Sequence, residues 1–170
     1  RADDPGRVAI HAEKDVAQPL AEVHLGEWTP FVLRDFGGAE GSVRFRLLAA
    51  TRGPTLHLCR SQVYATRGFA YPDGLAQELV EKVGPFFVGF TVNPRGQAEL
   101  EAFLDDVRHQ GLWEARVARY VQEHYGWDLH FCHWHIFDNI NHPTVNLMDP
   151  EGPNYDPAVG AWHTEAQRRA

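Results

Sequence analysis

The chain has one methionine, Met148, and two cysteines, Cys59 and Cys132, in 170 residues. Two thiols more than 70 positions apart allow at most one disulfide and exclude a heavily cross-linked scaffold. A pair of buried, reduced thiols is the expectation. No apolar stretch approaches the roughly 20 residues that a membrane-spanning helix needs. No block of one charge sign marks a tail, and no internal repeat or low-complexity segment interrupts the chain. Three catalytic or nucleotide-binding signatures are also missing: a Gly-x-Ser-x-Gly elbow, a phosphate-cradling Gly-Lys loop and a dinucleotide fingerprint. The net charge of −7 argues against a protein that coats nucleic acids or anionic membranes, which draws on a basic surface. Arg1 is not an initiator methionine, and the run Arg1–Gly6 (RADDPG) lacks a charged-then-apolar secretion signal. The chain is therefore expected to be processed or excised from a longer one. Its reduced thiols favour the cytoplasm, but nothing here fixes a compartment.

What is present suits a globular domain, with 44% hydrophobic and 23% charged residues. The first 70 residues read as β. Short apolar runs recur at Arg7–His11, Glu22–Leu25, Trp28–Phe36, Ser42–Ala50 and Leu56–Ala65, separated by turn residues. Asp35–Gly41 (DFGGAEG) has the glycine content of a hairpin turn. Val43, Phe45 and Leu47 alternate with Arg44, Arg46 and Leu48, and Leu56, Leu58 and Arg60 with His57, Cys59 and Ser61. This period of two predicts an antiparallel sheet with one wetter face. Tyr71–Gly74 (YPDG) is a turn, and Leu75, Leu79, Val80 and Val83 follow helical spacing up to Gly84-Pro85.

Phe86–Val92 is apolar and reads either as a strand or as a buried loop, and Asn93 and Pro94 reopen the chain. Leu100, Phe103, Leu104 and Val107 predict an amphipathic helix, with a break at Gly111. Trp113, Val117, Tyr120, Val121 and His124 then restart the stripe as core up to Gly126. Leu129–Phe137 (LHFCHWHIF) predicts a central strand with Asp138 at its carboxyl edge, where open α/β sheets place ligands. A polar, proline-rich loop from Asn139 to Asp156 follows, with Pro157 opening a final helix. The expected architecture is α+β. Residues 7–92 form an antiparallel β-rich accessory region, and residues 93–170 form a helical segment plus a strand, loop and helix of a catalytic core.

Asp138 and His142 are the candidate metal ligands. A carboxylate and an imidazole four positions apart reach one divalent cation, the oxygen as a hard anionic donor and the nitrogen suiting zinc, iron or manganese. Alone, such a pair also occurs as a loop cap beside a solvated histidine. The surrounding run, Trp134-His135-Ile136-Phe137-Asp138-Asn139-Ile140-Asn141-His142, continues to Met148-Asp149-Pro150 and Asn154-Tyr155-Asp156-Pro157. It resembles the type I phosphodiesterase and nucleotide pyrophosphatase branch of the alkaline phosphatase superfamily. Gly26-Glu27-Trp28, and Tyr71-Pro72 leading to Leu75–Leu79 and Gly84-Pro85-Phe86, extend the resemblance over much of residues 22 to 170.

The resemblance implies a phosphoester hydrolase acting on a small-molecule phosphoester through two divalent metals, zinc or else manganese or iron. It makes Asp138 and His142 ligands of one of them. The family's nucleophilic Thr or Ser, an early Asp and a late Asp-His pair have no counterpart here, and the chain contains no Asp-His dipeptide. No catalytic residue is therefore expected within it. As an internal piece it should be inactive and hold metal weakly, if at all. Cys132, His133 and His135 are expected to be structural, because alternation on a strand sends Cys132 to the face opposite both histidines, leaving one histidine able to orient Asp138. His57 is expected in core or edge packing, His163 solvated in the last helix, and Asp149, Tyr155 and Asp156 in turns. Two other readings stand beside the hydrolase. One is a non-catalytic ligand- or partner-binding module; the other is a small metalloprotein that joins His133, His135, Asp138 and His142.

Overall fold

The computed structural model describes residues 6–12, 18–50, 55–89 and 96–155, with 157, 161, 164, 165 and 168 beyond them. Asn93, Pro94, Asp156 and His163 lie outside the described residues. The protein is α+β, with antiparallel sheets and helices in two compact units, Arg1–Phe86 and Phe87–Ala170. No described helix is long and apolar enough to cross a membrane.

Among its described residues the first unit holds seven short strands. β1 (Arg7–Ile10) pairs with β2 (Ala21–His24), and Arg7 meets Glu22 in an exposed ion pair. β3 (Val32–Asp35) pairs with β4 (Glu40–Val43), which also takes β7 (Tyr64–Ala65) on its other side. β5 (Phe45–Ala50) pairs with β6 (Leu56–Arg60). The β3–β4 turn closes as its glycines predict. Gly37 and Gly38 have φ of 78° and 95°, and the Gly38 N–H donates to Asp35 Oδ1 at 2.8 Å.

The run Ser42–Ala50 is not one strand, because its backbone changes partners at Arg44. The Arg44 N–H donates to Ser61 Oγ at 3.0 Å, and the Phe45 N–H donates to Thr29 Oγ1 at 3.0 Å. These side-chain acceptors replace ladder carbonyls, so β4 and β5 belong to different sheets. The expected wetter face is overturned at the same place. Arg44 and Arg46 are buried beside Val43 and Leu47, with the Arg44 guanidinium 4.5 Å from the Trp28 ring centre and 5.2 Å from that of Phe31. Flat aromatic faces accept a guanidinium and its apolar stem, so a charged residue in a period-two pattern need not face water. Val8, Val23 and Leu47 form the core here, packed by Ile10, Ala50 and Leu58. Helix α1 (Leu75–Lys82) ends at Gly84, whose φ of 119° lets its N–H return to the Leu79 carbonyl.

The second unit is helical. Phe87 is buried in a segment without ladder partners, which gives the loop alternative for the described part of Phe86–Val92. α2 (Gln97–His124) runs unbroken through Gly111, against the expected break. A Cβ at Gly111 would lie 3.4 Å from Trp134 and 3.5 Å from Ile136, so the glycine marks a close crossing and not a helix end. α3 (Ile136–Met148) packs on α2 through a cluster of Leu100, Phe103, Leu104, Val107, Ile136 and Ile140. Trp113 is buried, whereas Val117, Tyr120 and Val121 are only half-buried.

Two expectations about the site region are corrected. Leu129–Phe137 is not a strand: residues 129–135 form no ladder and Ile136 and Phe137 begin α3. A strand exists only by exchanging backbone hydrogen bonds with a neighbour, and among the described residues this unit contains no other strand. The segment from Asn139 to Met148, expected as loop, is helix and includes Pro143. Ile136 and Ile140, four apart, bury on α2, and that packing outweighs the local loop preference of the Asn and Pro residues. The thiols are free, but Cys59 is only partly buried and Cys132 is exposed, not the buried pair expected. Without a ladder to enclose it, residue 132 has no core to enter.

Candidate metal centre

The anchoring of α3 decides where its polar side chains point. Two residues along a helix rotate a side chain by about 200°, so residues 138 and 142 project roughly opposite to 136 and 140. With Ile136 and Ile140 buried, Asp138 and His142 stand on the solvent side, one helical turn apart. His142 Nε2 lies 3.2 Å from Asp138 Oδ2, with the side chains 68% and 56% exposed. The two groups thus meet on a helix face, not at the rim of a buried strand as the sequence suggested.

A third group stands close. His135, which precedes the first turn of α3, places Nε2 at 3.8 Å from the same Oδ2 atom. Its ring lies 3.8 Å from that of His133, tilted by 38°. The sequence left one of the two histidines able to orient Asp138, and His135 is the one whose ring nitrogen stands near the carboxylate. Residues 135, 138 and 142 are spaced i, i+3 and i+7, a helical period the strand assignment concealed. Among the described residues no group of three or more His, Cys, Asp or Glu side chains is placed to hold a metal ion.

The helix is also fixed by an amide relay. Gln110 on α2 is buried; its Oε1 accepts from the Gly89 N–H at 2.6 Å and from Asn139 Nδ2 at 3.4 Å. Its Nε2 donates to Glu114 Oε1 at 2.7 Å. Gln110 thus ties α3 at the residue next to Asp138. Sequence reasoning missed this residue, whose only signal was a polar position within the buried face of α2. Alongside, a groove of about 370 Å³ runs between α2 and the Trp134–Ile136 segment, with Leu104, Arg108 and Leu112 on its α2 wall.

The remaining candidates fall elsewhere. Asp149 is a turn residue: its Oδ1 accepts the Glu151 N–H at 3.0 Å and its carbonyl accepts the Gly152 N–H at 2.9 Å. The Tyr155 N–H closes the same turn on the Gly152 carbonyl. His57 is exposed on β6, an edge strand. Cys132 and His133 line a second, smaller recess with Trp113 and Val117, apart from Asp138.

The Asp138–His142 pair fits a divalent cation. Zinc bonds of about 2.0–2.1 Å in tetrahedral array place neighbouring donors about 3.3–3.4 Å apart, close to the 3.2 Å between Nε2 and Oδ2. A cation beside a helix N-terminus opposes the dipole by about 0.3–1 kcal/mol, which the Asp138 carboxylate in the same first turn offsets. Compared with protein-family models, with curated proteins and with solved structures, the chain finds no match.

Proposed function

We propose that this chain is part of a metal-dependent phosphoester hydrolase resembling the type I phosphodiesterase branch of the alkaline phosphatase superfamily, in which Asp138 and His142 hold one of two divalent cations. The observation that supports it is the 3.2 Å approach of an exposed imidazole nitrogen to an exposed carboxylate oxygen, within the motif Trp134–Asp156 that carries the resemblance. A pair of cations in such a site supplies positive charge to the attacking and leaving oxygens of an in-line displacement at phosphorus. Asp138 contributes an anionic donor that lowers the net charge of the site, and His142 a neutral one that fixes its direction. Ile136, Ile140 and the Gln110–Asn139 contact fix the helix that carries both side chains on one face, which supports this reading. The nucleophile and the other ligands have no counterpart in these residues, and the chain by itself is inactive on this reading.

In the full-length enzyme, Asp138→Asn and His142→Ala each remove hydrolysis of a nitrophenyl phosphodiester and leave the circular dichroism spectrum unchanged. Near-normal turnover by either variant would falsify the assignment. A second reading, a non-catalytic binding module, is favoured by one observation. Leu129, Phe131 and Phe137 are 72%, 87% and 67% exposed, an apolar display suited to covering by a partner. Retained partner binding with no phosphoester turnover in the full-length protein would select that reading.

A further inference from the structure

We propose that His135 is a third donor to the cation held by Asp138 and His142, so that the residue capping α3 and the helix's first two turns together form a three-donor divalent-metal site. The proposal rests on the metal reading of Asp138 and His142 and adds a ligand to it.

At 100° per residue, positions i, i+3 and i+7 fall within an arc of about 60° on a helix surface, so one face presents all three side chains. Both imidazoles approach the same oxygen: Asp138 Oδ2 is 3.8 Å from His135 Nε2 and 3.2 Å from His142 Nε2. The 3.2 Å spacing is near the donor separation of a tetrahedral zinc shell, about 3.3–3.4 Å, and His135 stands slightly beyond it at 3.8 Å. The three side chains as they stand are not placed to hold a metal ion, but the side chain of His135 is 48% exposed, and such a ring turns between staggered rotamers at little cost.

His135 is selected over its neighbours by direction. The His133 ring lies against that of His135 and lines the recess along α2 with Cys132, whereas the His135 ring nitrogen is the one 3.8 Å from the carboxylate. His130 also lines that recess. Two imidazoles and one carboxylate form the donor set of open zinc sites, in which the fourth position is left for water or substrate. The site would therefore take a first-row cation of zinc type in preference to magnesium or calcium, which favour all-oxygen shells.

Cobalt(II), a visible stand-in for zinc, tests this on the 170-residue chain. His135→Asn is the main variant, because Asn is a better helix N-cap than His and so preserves the start of α3. Loss of an outer-shell partner of a metal ligand already costs about 10–100-fold in affinity, so loss of the ligand should weaken cobalt binding by at least about tenfold. His133→Ala should leave it within about twofold, on the same scale. Saturable 1:1 binding by the unaltered chain with this ranking supports the proposal. Absence of saturable binding, equal binding by His135→Asn, or an equal loss in His133→Ala overturns it. The two readings fail separately. Persisting hydrolysis in Asp138→Asn removes the phosphoester assignment without touching the titration, whereas a titration indifferent to His135 leaves that assignment in place.

Discussion

Two glycines of the helical unit receive the same added methyl group with opposite consequences. At Gly111 a Cβ would sit 3.4 Å from Trp134 Cζ2 and 3.5 Å from Ile136 Cδ1 and Cγ1, which are ordinary contacts with side chains that can yield. Alanine there also removes the conformational penalty of glycine in a helix interior, about 0.5–1 kcal/mol. Gly111→Ala should therefore stabilise by a fraction of a kcal/mol up to about 1 kcal/mol. At Gly89 the new Cβ would sit 2.7 Å from the Asp106 carbonyl oxygen, 2.9 Å from its carbon and 3.1 Å from Val107 N, all helical backbone. Neither α2 nor residue 89 can give way cheaply, because the Gly89 N–H is held by Gln110 Oε1 at 2.6 Å. Forcing a methyl into a close-packed site costs about 1–3 kcal/mol. With a urea dependence of about 1.5 kcal/mol per molar, Gly89→Ala should lower the unfolding midpoint by roughly 0.7–2 M. Urea unfolding followed by the helical circular dichroism signal reads both variants on one scale. A Gly89→Ala midpoint at or above that of Gly111→Ala would refute the close packing of the 87–89 segment on α2. The Gln110 amide also reaches Asn139, so Gly89→Ala should loosen the helix that bears Asp138.

Ile140→Ala empties a 2%-exposed position in the α2–α3 cluster and should destabilise by about 2–5 kcal/mol, seen as early hydrogen exchange of the α3 amides. Protection equal to that of the unaltered protein would place the anchor of α3 elsewhere. In the β-rich unit, Arg44→Met keeps an apolar stem beneath Trp28 but loses the charge over the ring, an effect of about 0.5–2 kcal/mol. Arg44→Ala also loses the packed stem and should lower the melting temperature further than Arg44→Met; equal losses would mean that the stem contributes nothing.

Local chemistry is what the sequence determined by itself. The turn at Asp35–Glu40 needs residues that tolerate positive φ, and Gly37 and Gly38 provide them. α1 stops where Gly84 permits a left-handed residue, and Leu100, Phe103, Leu104 and Val107 bury because one helix face gathers them. The closeness of Asp138 and His142 was legible from their spacing of four, although the sequence put it on a strand rim and loop where the structure has a helix. Tertiary structure decided the rest. Arg44 and Arg46 look solvent-facing until Trp28 and Phe31, distant in sequence, cover them. Gly111 looks like a break until Trp134 and Ile136 cross it. Residues 129–137 have the composition of a buried strand, yet a strand is a property of two segments. With no described partner in its unit, this one stays unpaired up to the point where α3 begins on Ile136. That change of period, from two to 3.6, is what turned His135 toward Asp138.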